Sequence, residues 1–330
     1  VTPVAEWQVL GAAAARPAIR DLVTGAHKYP SDISRPGMLY GKVLRAPRYR
    51  ATLVSFDADA ADAVEGARVV TDGDFVGCVA PTSHAARKSV EALAASATWT
   101  HETHVDSANL FDHLRQTARA SEGRRSRGSS EGSADDALAA ASNVVEVAYE
   151  VAYIQHVPME PRAAVAEWTG HDITVWTGSQ VPTRVQSHVM EAFGMSAENV
   201  RVIVPDTGGG FGGKHSGETA VEAARLARAA GAPVHLRWTR EEEFTWAYFR
   251  PSAVIEGKGG LNADGALTAW DFATINAGGS ALGTPYDVPN VATRSLDADG
   301  PLREGSYRAL GSTANVFARE SLMDELAHAA

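Results

Sequence analysis

The sequence predicts a mixed α/β (α+β) fold in two parts, and three features carry that expectation. Short runs rich in Val, Ile, Leu and Tyr alternate with Ala-rich segments of helical period. Gly and Pro stand where those segments should end. A stretch with almost no apolar side chains, Arg119 to Asp136, divides the chain. The 330 residues hold 30 Lys and Arg against 40 Asp and Glu, a net charge of −10. Nucleic acid and anionic membrane surfaces offer such a chain no attraction, which argues against both as partners. No run approaches the ~18 apolar residues that a membrane span needs. The one cysteine, Cys78, makes neither an internal disulfide nor a cysteine metal site, and its apolar neighbours mark it as buried filler.

Taken in order, residues 1–17 read as a lead-in without clear period. Val1 to Leu10 lacks the basic-then-apolar pattern of a secretory leader, so the cytoplasm is the default compartment, and the periplasm follows if a leader was removed. Residues 18–105 have a compact α/β texture. Pro36-Gly37 turns into a strand from Met38 to Leu44, Leu53 to Asp57 makes a second, and Val69-Val70 begins a third. Ala58 to Val64 reads as a short helix stopped by Gly66, and Ala85 to Ala97 as an amphipathic one. Residues 106–142 read as a flexible linker, because too little apolar surface is available there to offset ordering entropy. Its arginines 124, 125 and 127 are nearly neutralised by Glu122, Glu131, Asp135 and Asp136, so it is no basic patch.

Residues 143–330 form the second part. Val145–Tyr149 and Ile173–Trp176 alternate as strands, and Val200–Val204 is a buried one. Thr183 to Phe193 is helical, with Val185, Val189 and Phe193 at four-residue steps and Gly194 at a C-cap. A helix from Gly217 to Ala230, a strand from Val234 to Trp238, a hairpin at Asn262–Gly265 and a final helix from Asn315 complete it. Arg240-Glu241-Glu242-Glu243 reads as a solvated helix start with acids at the positive dipole end. Glu218, Glu222 and Arg225 share one polar helix face and read as structural. His156 either faces a pocket or satisfies a backbone carbonyl, and the second reading is favoured.

The most informative stretch is Gly208-Gly209-Gly210-Phe211-Gly212-Gly213-Lys214-His215, between a buried strand and a helix. Five glycines around one aromatic ring are costly unless torsions or close approach demand them. Ahead of a helix N-terminus such a loop presents main-chain donors to something anionic or oxygen-rich. Gly208, Gly210 and Gly213 match G-x-G-x-x-G, and Gly208 with Gly213-Lys214 match most of a P-loop. His215 stands where a P-loop needs Ser or Thr for magnesium, and Glu241 comes late for the acid of a dinucleotide site. A nucleotide-phosphate-binding α/β protein and a glycine turn that only packs helix on strand both stay open from these residues.

Several separate stretches together resemble the molybdenum hydroxylases, the xanthine dehydrogenase/aldehyde oxidase family, nearest to the molybdopterin-binding subunits of the isoquinoline 1-oxidoreductase kind. The glycine loop is similar to that family's signature loop. Thr177-Gly178-Ser179-Gln180-Val181-Pro182-Thr183 resembles its glutamine segment, Met159-Glu160-Pro161-Arg162-Ala163 its Met-Glu-Pro segment, and Tyr307-Arg308-Ala309-Leu310-Gly311 its arginine loop. The Gly37–Val43 and Leu53–Asp57 strands resemble its α/β hammerhead domain. The resemblance implies a hammerhead domain followed by the first, incomplete half of a molybdopterin-binding domain.

It also implies chemistry. The family inserts water-derived oxygen at an electron-poor carbon of an aldehyde or N-heterocycle, using molybdenum held by a pterin and by no protein side chain. By that resemblance Gln180 hydrogen-bonds an oxo ligand, and Phe211 and Gly212 lie beside the metal with backbone N–H groups facing it. Gly209, Gly210, Phe211, Gly212 and Gly213, with Ser306, Tyr307 and Arg308, cradle the cofactor, expected in its cytosine dinucleotide form. His215 replaces an acid that helps many members bind substrate, and no arginine lies between Phe272 and Pro289, so xanthine is disfavoured. The general-base glutamate belongs to a later segment, in a missing C-terminal half or a second polypeptide. An iron–sulfur subunit with a 2Fe-2S centre and an FAD subunit or haem cytochrome are the implied electron partners, and the 330 residues alone should be inactive. A non-catalytic assembly piece with the family fold is the remaining alternative.

Overall fold

The computed structural model describes residues 2–61, 63–120 and 128–330. The N-terminal part carries helix α1 (Ile19–Thr24) and strands β1 (Leu39–Val43), β2 (Ala51–Ser55), β3 (Arg68–Asp72) and β4 (Phe75–Ala80). Helix α2 (Ser83–Ser96) and strand β5 (Thr98–His101) follow. The Thr82 hydroxyl starts α2 by accepting from Ala85 N at 3.1 Å, satisfying one of the orphan donors of a helix end. Next come α3 (Leu110–Gln116), the short strands β6 (Arg119–Ala120) and β7 (Ser129–Glu131), and α4 (Ala134–Ala140).

The C-terminal part opens with β8 (Asn143–Val151), β9 (Ala163–Thr169), β10 (Asp172–Thr177) and α5 (Pro182–Phe193). It continues through β11 (Val200–Ile203), α6 (Glu218–Ala230), β12 (Val234–Arg237) and α7 (Arg240–Thr245). Strands β13 (Ala253–Leu261), β14 (Leu267–Ile275) and β15 (Val291–Asp297) lead to α8 (Ser312–Ala329).

Among the described residues the strands form two large sheets. One has the order β11-β10-β9-β12-β1-β4-β3, and the other the order β6-β15-β14-β13-β8 with β7 also on β15. Strands β2 and β5 pair separately. The first sheet joins both parts of the chain, since β1 runs parallel to β12 with Leu39 opposite Val234 and Gly41 opposite Leu236. Helix α6 covers that sheet with Ala220, Ala223, Ala224 and Ala227. This i, i+3, i+4, i+7 stripe of small residues lets the helix sit close to the strands. Helix α8 covers the second sheet with Ala314, Ala318, Leu322 and Leu326, one face at four-residue steps.

Several expectations are corrected. The 106–142 segment is not a plain flexible linker in its described residues. Leu110 and Leu114 of α3 are buried with Val254 and Ile275, and β7 pairs with β15, so tertiary contacts supply the apolar burial that composition alone did not show. The stretch 121–127, with Glu122, Arg124, Arg125 and Arg127, lies outside the described residues. The expected helix from Ala58 to Val64 is a 3₁₀ turn from Ala58 to Ala61, and the Leu53–Asp57 strand begins at Ala51 and ends at Ser55. Residues at the start are exposed, and Val4–Glu6 forms a 3₁₀ turn. Glu243 is not solvated: it is fully buried and paired with Arg162, which no spacing along one helix reveals.

Candidate cofactor cradle

Two loops meet between the sheets. One leaves β11 and enters α6, carrying the five glycines; the other leaves β15 and enters α8, carrying Ser306, Tyr307 and Arg308. Gly212 has φ of 96°, and a Cβ there would lie 2.8 Å from Ser306 O and 2.9 Å from Tyr307 Cα. Only glycine admits both that torsion and that approach. Across the contact, Arg308 N donates to Phe211 O at 2.8 Å. At this point of the loop, glycine is required so that two main chains can touch.

Gln180, at the start of the turn into α5, reaches the same loop. Its Oε1 accepts from Gly212 N at 2.9 Å and from Lys214 N at 3.4 Å, and its main-chain N–H donates to Lys214 O at 2.9 Å. A Cβ on Gly210 would sit 2.5 Å from that Oε1. The carboxamide is thus held by its oxygen, and its Nε2 donates to nothing among the described residues. One expectation changes: the Gly212 N–H faces Gln180, not an external ligand. The main-chain N–H groups of Gly210 and Phe211 have no partner among the described residues and remain the loop's open donors.

Phe211 adopts φ of 55°, unusual for a residue with a Cβ, and is 46% exposed, so it is not a core aromatic. Val157, Ala309 and Leu310 also have positive φ. Four such residues around one pair of loops mark a place where backbone strain is tolerated, a pattern that concentrates at binding sites. Gln180 and Phe211 are both exposed, on either side of Gly210 and Gly212. A cavity of about 330 Å³ lies on the second loop, walled by Ser306, Tyr307 and Leu310 with Arg250 and Asn276.

Further side chains hold the loop from behind. Glu160 Oε2 accepts from Gly208 N at 2.8 Å and from Lys214 Nζ at 3.3 Å, while Lys214 Nζ also donates to Glu160 O at 2.8 Å. Lys214 is 2% exposed, and burial lowers its pKa although Glu160 opposes the shift. An ammonium so engaged does not reach a nucleotide phosphate, which removes the main support for a P-loop. Arg162 pairs with Glu243 and donates through Nη2 to Gly213 O. Tyr248 Oη donates to Gly212 O and accepts from His215 N at 3.2 Å. His156 is buried and its Nε2 donates to Ser306 O at 2.6 Å, the backbone-carbonyl role. Glu160 and Arg162 had a signal nearby, in the Met-Glu-Pro segment; Glu243 was read as part of a solvated helix start, and Tyr248 carried no signal.

The electrostatics around the face are muted. Burial, and then Arg184, depress the His215 pKa, which favours the neutral imidazole at this position. The Arg308 side chain is exposed and has no ion pair among the described residues. No group of three or more His, Cys, Asp or Glu among those residues is placed to hold a metal ion. No described helix is long and apolar enough to cross a membrane.

Residues 118–330 match the molybdopterin cofactor-binding domain family. The chain is 26% identical over 362 residues to a nicotinate dehydrogenase subunit of Pseudomonas putida, spanning 99% of this chain and 30% of that protein. It is 26% identical to the nicotinate dehydrogenase large molybdopterin subunit of Eubacterium barkeri, covering 98% of this chain and 87% of that one. Quinoline 2-oxidoreductase from Pseudomonas putida 86 has the same fold, with a TM-score of 0.80 at 23% identity over 96% of this chain and 48% of that chain. The chain therefore spans less than half the length of the two Pseudomonas proteins.

Proposed function

This chain belongs to the molybdopterin cofactor-binding domain family, and on that premise we propose that it forms one wall of the active site of a molybdenum hydroxylase. The observation that carries the reading is the held carboxamide of Gln180, its oxygen on Gly212 N and Lys214 N and its Nε2 left free. The cradle fits a flat, oxygen-rich cofactor: glycines admit close approach, and Gly210 and Phe211 offer unpartnered amides beside Ser306–Arg308. When bound, the molybdenum–pterin group supplies the two-electron chemistry that puts a water-derived oxygen on an electron-poor carbon.

Each residue then has a task. Gln180 Nε2 and the amides of Gly210 and Phe211 act as fixed donors toward negative charge that develops in the reaction, a preorganised arrangement that needs no reorientation. Ser306, Tyr307 and Arg308 position the pterin, with Gly209 and Gly213 shaping the loop's ends. Phe211 supplies an apolar side to the face and excludes water. His215 leaves no fixed carboxylate for a purine. The proton-accepting glutamate lies outside these 330 residues, on this polypeptide or a second one. The substrate is an N-heterocycle or an aldehyde, and relatives named for nicotinate and for aldehyde oxidation support the two classes alike. The cytosine dinucleotide form of the cofactor, a 2Fe-2S subunit and an FAD or haem partner complete the proposed assembly.

Elemental analysis of the native, co-purified assembly tests the reading. Molybdenum near one atom per protomer is expected. A fully assembled complex without molybdenum would instead indicate a non-catalytic piece that keeps the fold.

A further inference from the structure

A separate cavity of about 220 Å³ lies below the start of α2, between β1, β12 and the turn that holds Ser31 and Asp32. Its wall is rich in donors. Lys42 is 9% exposed, and its Nζ donates to Arg237 O at 2.6 Å but has no carboxylate partner among the described residues. The Arg237 side chain is exposed and likewise has no ion pair among them. The hydroxyls of Ser34, Tyr40 and Ser83 make no hydrogen bond to the described residues. Ser83 is the first residue of α2, a fourteen-residue helix whose leading amides carry partial positive charge.

His235 supplies an independent sign. It is nine-tenths buried, lines the same cavity, and its Nε2 has no hydrogen-bond partner among the described residues. Orphaned buried polar atoms are rare, and an unseen ion or water is one of their recognised causes. The one acid in the wall, Asp32, accepts from Tyr29 N at 3.1 Å. Within the wall two cations thus face one engaged carboxylate, while Glu242 acts on Lys42 from outside it.

We propose that this cavity binds a phosphate-class oxyanion, gripped by Lys42, Arg237 and the first amides of α2, with the His235 ring forming part of the wall. Burial depresses the Lys42 pKa; burial, then Arg237 and Lys42, depress that of His235, and an anion placed among them relieves both strains. Ser31 ties the cavity to the glycine loop, since its N and Oγ each donate to Glu160 Oε1 at 3.0 Å. The site is nonetheless distinct from the cradle, which lies beyond Glu160.

Calorimetric titration of the assembled protein with inorganic phosphate, sulfate and AMP, at matched ionic strength, tests it. Saturable binding is expected, weakened about tenfold or more by Arg237→Ala and by Lys42→Met. Arg237 is exposed, so its variant keeps the test valid if Lys42→Met fails to fold. AMP binding more tightly than phosphate identifies a phosphomonoester, and the reverse order identifies a free oxyanion. Absence of saturable binding by all three, or binding that Arg237→Ala leaves intact, overturns the proposal.

Discussion

Gln180 Oε1 and Gly212 N stand 2.9 Å apart in a hydrogen bond that joins the turn before α5 to the glycine loop. Because the oxygen end of the carboxamide is fixed by protein amides, the nitrogen end is the one offered outward. A residue thirty-two positions upstream of Gly212 is thereby made part of the loop.

Replacing Gln180 separates its two ends. Gln180→Glu keeps an oxygen for Gly212 and Lys214 but has no N–H to offer, whereas Gln180→Ala loses both. Turnover by the assembled enzyme is expected to fall about 100-fold in both, the scale of losing one preorganised donor. The unfolding midpoint should move little in Gln180→Glu, which keeps the acceptor, whereas Gln180→Ala leaves Gly212 N and Lys214 N unpaired and should cost about 1–3 kcal/mol. A Glu variant with full turnover would remove the donor role.

Gly212→Ala and Gly231→Ala both place a Cβ at positive φ, but only the first meets other atoms. Gly231 has φ of 64° and nothing within 4 Å, so its cost is torsional, about 1 kcal/mol. At Gly212 the added carbon also meets the Ser306–Tyr307 backbone within 3 Å. Gly212→Ala is expected to destabilise more and to lower the molybdenum retained after purification. Equal losses in the two variants, by urea unfolding and metal content, would show that close approach at Gly212 is unimportant.

Removing Glu243 strands a buried guanidinium. Arg162 and Glu243 are both almost entirely inaccessible, and Arg162 also braces Gly213 O. Glu243→Ala is expected to cost about 3–5 kcal/mol, while the double change Arg162→Met with Glu243→Leu should recover much of it. Chemical denaturation of the single and double variants distinguishes this from a pair that contributes little.

Acid sensitivity should trace partly to His235. Burial, then Arg237 and Lys42, push its pKa down to about 4 from 6.5, with Asp32 opposing. Between those values the unfolded chain binds a proton that the folded chain refuses. The associated stability is therefore full above pH 6.5 and is lost as pH falls toward 4. His235→Leu should flatten the dependence of the urea midpoint between pH 7 and 5. An unchanged slope would mean that other groups dominate.

Much of the fold was legible locally. Four-residue spacing of Val185 and Val189 and the glycine at 194 marked α5 almost to the residue, because one buried stripe and one left-handed cap are local requirements. The 106–142 segment misled for the converse reason. Leu110 and Leu114 become buried only against Val254 and Ile275, more than a hundred residues away, and composition carries no record of that contact.

The order of short motifs by itself determined the family resemblance and named Gln180, Phe211 and the 306–308 segment, since torsion and close approach leave glycine and little else in such a loop. Tertiary structure alone decided which end of Gln180 is free, that Gly212 spends its N–H inside the protein, and that Glu160, Tyr248 and the Arg162–Glu243 pair hold the loop. Hydrogen-bond partners are chosen by distance in space, and a backbone donor can be claimed only once, so those assignments exist only after the two sheets have come together.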